Sequence, residues 1–95
     1  MNAGKIVTPA QNVHWVVDQS CTLVVNETRN EVFRLTGMEQ TLWDCLILGD
    51  SHQQVRYFIA AMGKMDMKAA DEKIHSILAE WHRLNLVEIF EVALG

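Results

Sequence analysis

The side chains able to do chemistry are four histidines, two cysteines and a scatter of carboxylates and hydroxyls. Their spacing decides what they can do together. His75 and His82 stand seven residues apart, near one face of a helical stretch, with Asp71 one turn before His75. A metal site would call for a closer pair, such as histidines four apart, or for a Cys-x-x-Cys. Neither pattern is present, there is no His-Glu-x-x-His, and His14 and His52 fall on other elements. The four histidines therefore read as solvated residues on polar faces, with no metal and no cofactor.

A nucleophile is equally unsupported. Cys45 lies on the apolar stripe of a helix, the position of a core thiol rather than of a Cys–His pair. Ser20, Ser51 and Ser76 lack the Gly-x-Ser-x-Gly context, and no Gly-x-Gly-x-x-Gly or Gly-x-x-x-x-Gly-Lys-Ser/Thr loop occurs. The expectation is that the chain is not an enzyme. Cys21 begins a strand-like run, and in a reducing compartment it and Cys45 are expected as free thiols.

Composition narrows the class further. With 49% hydrophobic and 21% charged residues in a chain of 95, the mix suits one small domain with its own core. No apolar run reaches the roughly 18 residues a membrane span requires. The start, "MNAGKIVTPAQ", has one lysine and no apolar h-region, so a cytoplasmic location is expected. Net charge is −4, and neither half is basic. Phosphate backbones need concentrated Lys and Arg, so nucleic acid is not an expected partner, nor is a membrane.

The elements that must position these side chains follow from periodicity. Residues 1–12, with Pro9 the only proline, read as an N-terminal tail. "VHWVVD" (13–18) puts Val13, Trp15 and Val17 on one side, and "CTLVVN" (21–26) does the same for Leu23 and Val25. Asp18-Gln19-Ser20 makes the turn between them. The polar "ETRN" (27–30) then leads to "EVFRL" (31–35), with Phe33 and Leu35 facing one way and Val32 and Arg34 the other. Connections this short predict an antiparallel meander.

Three helices follow. Thr36 with Glu39, and Ser51 with Gln54, have the spacing of capping boxes, and Asp66 can cap the third helix. The first carries Met38, Leu42, Cys45 and Leu46 and stops at Gly49. The second carries Val55, Phe58, Ile59 and Met62 and stops at Gly63. The third carries Ile74, Ile77, Leu78, Trp81 and Leu84 and stops at Asn85. Met62, Met65 and Met67, around the turn between the last two, read as core filling. The end, "LVEIFEVALG", alternates again, so 90–95 is a C-terminal tail or short strand. The predicted class is α+β: a three-stranded antiparallel sheet followed by a three-helix bundle.

A meander has two edges, and an unpaired edge can accept another strand. "EVFRL" carries charges but no proline, and a helix packed beside it would make an apolar-floored groove with a hydrogen-bonding rim. "TLVVNETRNEVFRLTGMEQTLWDCLILGD", followed by "VRYFIAAM" and "IHSILAEWHRLNLVEI", resembles the PqqD-like family over roughly residues 13–89. These are the RiPP recognition elements, peptide-binding domains of ribosomal natural-product pathways. The family often has Leu-Asn after the third strand and Gly-Leu at the last helix stop; here Leu35-Thr36 and Asn85-Leu86 stand in those places.

The resemblance implies a winged-helix-like fold that binds the leader of a precursor peptide as an added strand against the third strand, beside the third helix. It also implies delivery of that peptide to a modifying enzyme, such as a radical-SAM maturase. On this chain the implied peptide-binding residues are Glu31, Val32, Phe33, Arg34 and Leu35 of the strand, and Lys73, Ile74, Ile77, Leu78 and Trp81 of the helix. Arg34 and Lys73 would steer an acidic leader. Residues 87–92 would cover the open edge, in cis or by exchange into a homodimer. Two other readings compete. A winged-helix DNA-binding regulator would want a more basic third helix than one that adds Asp71, Glu72 and Glu80 to Lys68, Lys73 and Arg83. A non-catalytic scaffolding subunit would keep the same groove permanently filled.

Overall fold

The alternating runs become strands where the sequence places them, and one more strand forms where a tail was expected. In the computed structural model, which describes residues 5–91, the order is β1 (Lys5–Pro9), β2 (Val13–Asp18), β3 (Cys21–Asn26), β4 (Glu31–Leu35), α1 (Gly37–Leu48), α2 (His52–Gly63), α3 (Met67–Arg83) and β5 (Val87–Glu91). β2, β3 and β4 form the expected antiparallel sheet in sequence order. The fold class is α+β with a winged-helix-like arrangement.

β1 corrects the expected tail of residues 1–12: residues 5–9 pair antiparallel with β5, Ile6 opposite Phe90 and Pro9 opposite Val87. The inner side of this ribbon, Val7 and Val87, is buried in the core, which is why it holds. β5 is therefore taken by β1 and does not cover the edge of β4, contrary to the expectation for residues 87–92; residue 92 lies outside the described residues. The 90–95 boundary moves too, because Phe90 and Glu91 belong to β5.

The register sorts the meander into two faces. Val13, Trp15 and Val17 line up with Asn26, Val24 and Thr22, and these with Glu31, Phe33 and Leu35. This inner face meets the helices, and Val24 and Thr22 have no exposed surface. The outer face carries His14–Val25–Val32 in one row and Val16–Leu23–Arg34 in the next. Under the inner face, Trp43 of α1 sits fully buried between Trp15 and Trp81, in edge-to-face contacts with centroids 5.6 and 5.4 Å apart. Each such contact adds about 0.5–1.5 kcal/mol beyond area burial.

The helix signals hold in part. Ser51 and Gln54 form the reciprocal box, the Gln54 amide donating to Ser51 Oγ (3.2 Å) and the Ser51 amide to Gln54 Oε1 (3.1 Å). Asp66 Oδ1 accepts from the Ala69 amide at 2.8 Å. Thr36 makes no capping hydrogen bond. The reason is Gly37, whose φ of +59° inserts a left-handed residue between Thr36 and the first helical turn. That carries the hydroxyl out of reach of the amides it would satisfy.

All three helices end alike. Asp50, Met65 and Leu86 donate back to the carbonyls of Cys45, Ala60 and Trp81, around left-handed residues Gly49, Lys64 and Asn85. The stop of α2 thus falls on Lys64 rather than on Gly63. Its buried stripe is Val55, Ile59 and Ala60, whereas Phe58 and Met62, expected in the core, are about half exposed. Met65 and Met67 do pack against the core, as expected of gap-filling methionines. Among the described residues no helix is long and apolar enough to cross a membrane.

Candidate functional site

Which backbone groups the sheet leaves unpaired follows from its register. The Glu27 amide donates to the Asn12 carbonyl at 2.9 Å, continuing the β2–β3 ladder by one pair. Hydrogen-bonded pairs alternate along an antiparallel ladder. Cys21, Leu23 and Val25 therefore bond to β2, and Thr22, Val24 and Asn26 bond to β4 through Leu35, Phe33 and Glu31. The N–H and C=O groups of Val32 and Arg34 point away from the sheet. Among the described residues no strand pairs with that side of β4.

α3 is tied at its stop to the turn that leads into β4, and it meets α1 just beyond the end of that strand. At the Glu31 end, the Asn26 side chain donates to the Asn85 carbonyl (3.2 Å), where α3 stops, and accepts from the Arg29 amide (3.2 Å), inside the β3–β4 turn. At the other end, Glu39, at the start of α1, shares a depression of about 200 Å³ with Lys73, Ser76, Ile77, Glu80 and Trp81 of α3. Asn26 is only 2% exposed, so its amide is a buried tie between the turn and the helix stop. Reasoning from sequence passed over it. Its position in phase with Thr22 and Val24 was the available signal.

The residues implied by the resemblance divide once placed. Val32 is 64% exposed and Arg34 is exposed, both on the outer face. Phe33 is half-buried and packs against the core from the inner face. Glu31 is half-buried and pairs with Arg29 at 3.0 Å. Lys73, Ile77 and Trp81 line the depression. Leu35, Ile74 and Leu78 are core residues, and so are Ile77 and Trp81, which are only 8% and 3% exposed where they border the depression. Arg34 and Lys73, expected to steer an acidic leader, lie in different settings. Arg34 belongs to the outer face, and Lys73 shares its depression with Glu39 and Glu80. Glu80 is itself engaged by Arg83, whose guanidinium holds its carboxyl below the usual carboxylate range.

Several of the other chemistry-bearing side chains tie elements together or sit in the core. His52, expected in solvent, is three-quarters buried at the start of α2, with Nε2 3.1 Å from Asp71 Oδ1; Arg56 Nη1 lies 3.1 Å from Asp71 Oδ2. The trio joins α2 to α3. Asp71 is thereby turned away from any site with His75 and His82, and no cluster able to hold a metal occurs among the described residues. Cys21 and Cys45 are buried free thiols, as expected. Burial, then a hydrogen bond to Asp50 and its charge, push the Cys45 thiol up to about 11, so it stays protonated at neutral pH.

Fold and edge together define a class: a winged-helix-like α+β domain whose three-stranded sheet leaves the outer side of β4 unpaired among the described residues. The same fold occurs in the solved structure of TbiB1 in complex with the TbiA(beta) leader peptide. The two align with a TM-score of 0.78 at 15% identity, over 85% of this chain and 94% of that one. No protein-family model matches this sequence, and no curated protein matches it significantly.

Proposed function

We propose that this chain is a stand-alone recognition element for a ribosomally made precursor peptide. The peptide's leader adds as a strand to the outer edge of β4, bonding to the N–H and C=O groups of Val32 and Arg34, with α3 alongside. Main-chain bonds supply affinity, and the depression at Lys73, Ile77 and Trp81 takes a leader side chain. The element carries no catalytic group; it presents the peptide to a modifying enzyme of the maturation pathway, a radical-SAM maturase being one such class.

One observation carries this reading. The outer side of β4 is unpaired among the described residues, in a fold shared with a protein solved with a leader peptide bound. The resemblance of "EVFRLTGMEQTLWDCLILG" to the PqqD-like family supports the same assignment.

The test is a titration of isotope-labelled protein with the leader of a short precursor peptide encoded beside this gene. Saturable amide shifts centred on Val32, Arg34 and the Lys73–Trp81 face of α3 are expected. Shifts centred instead on Trp15 and Val17, which point from the opposite edge on β2, would move the site. A genuine neighbouring leader that gives no shifts would end the proposal.

A further inference from the structure

A strand added to β4 does more than bond to its backbone. Its side chains continue the cross-strand rows of the sheet, and directly opposed pairs on one face interact. On the outer face, the first row runs His14–Val25–Val32 and the second Val16–Leu23–Arg34. The first row reaches the open edge as an exposed valine, and the second as an exposed arginine. Arg34 differs from the other arginines of the chain: Arg29, Arg56 and Arg83 each hold a carboxylate, and Arg34 holds none among the described residues.

We infer that the bound peptide carries an apolar side chain opposite Val32 and an acidic one opposite Arg34, two residues apart, with the residue between them turned toward Phe33 and α3. This rests on the strand-docking reading above and specifies its ligand. The spacing of two comes from the pleat, which returns a side chain to the same face at every second residue. It holds for either strand direction, and the order of the two residues reads that direction. Antiparallel docking puts the acidic residue on the N-terminal side of the apolar one, because Arg34 follows Val32 along β4. Parallel docking reverses the order.

The experiment is selection from a phage-displayed library of random short peptides against the whole chain, run in parallel on wild type and Arg34→Glu. Selected peptides are then mapped by amide shifts. Wild type should enrich Asp or Glu two positions from an apolar residue. The Arg34→Glu protein should enrich Lys or Arg at that position and leave the apolar preference unchanged. Exchanging the two peptide sets between the two proteins should cost each about two- to fivefold in affinity, more at low salt, as expected for a partly exposed pair. Arg34→Gln should lose the acidic preference without gaining a basic one.

Binders that shift the Val32 and Arg34 amides but show the same sequences for all three proteins overturn the inference and leave strand docking intact. A selection that yields no binder acting on β4 overturns both.

Discussion

A proline at Val32 separates the edge from the ladder. Its N–H points away from β3, so Val32→Pro removes no hydrogen bond within the sheet. The side chain is 64% exposed, so little packing is lost. A folding stability within about 1 kcal/mol of wild type is expected. Docking suffers differently, because the incoming strand faces a pyrrolidine ring where it needs a donor. One peptide carbonyl is left unpaired, at a cost of about 1–3 kcal/mol. That corresponds to roughly a five- to 150-fold loss of affinity. Phe33→Pro is the contrasting variant: its N–H bonds to Val24, and its ring packs on the core. It should lose about 3 kcal/mol or more of stability. Val17→Pro on β2 removes an outward N–H from the wrong edge and should leave affinity unchanged. Calorimetric titration with a neighbouring leader, paired with urea denaturation, reads both quantities. A folded Val32→Pro that binds the leader like wild type would refute β4 as the docking edge. A Val32→Pro as unstable as Phe33→Pro would refute the alternation assigned to the ladder.

Three further outcomes are expected. Asn26→Ala removes the amide that satisfies both the Arg29 N–H and the Asn85 carbonyl, and should cost about 2 kcal/mol in urea denaturation, with weakened leader binding as α3 loosens from the turn. Lys64→Gly relieves a left-handed residue at φ +52° and should gain about 0.5–1 kcal/mol by the same measurement. Because the fold raises the Cys45 thiol from 9.0 to about 11, the stability linked to it is complete below pH 9 and is lost as pH rises toward 11; Cys45→Ala, compared with wild type across that range, should flatten the decline.

Much of the architecture was legible because it is local. A change of period at Leu35–Met38 separates strand from helix, and Ser51, Asp66, Gly49 and Asn85 mark helix ends through bonds spanning only a few residues. Thr36 misled because a box is read from spacing, whereas Gly37's backbone angle decides whether the hydroxyl reaches. Phe58 and Met62 misled because periodicity gives a stripe but not how far the helix is rotated about it, and that rotation is set by what packs opposite.

The sequence by itself determined three strands, three helices and one core, since turn length and side-chain alternation are properties of neighbouring residues; a docking role for the third strand was implied only by the family resemblance. Only the tertiary structure decided which side of β4 stays unpaired among the described residues, which residues of β4 and α3 are core, and where β5 goes. Those depend on contacts between residues far apart in the chain. Asn26 and Asn85 are 59 positions apart and meet only because the stop of α3 packs against the turn between β3 and β4. "KIVTP" alternates too weakly to declare itself a strand, and it becomes one because β5 supplies its hydrogen bonds and Val7 finds the core.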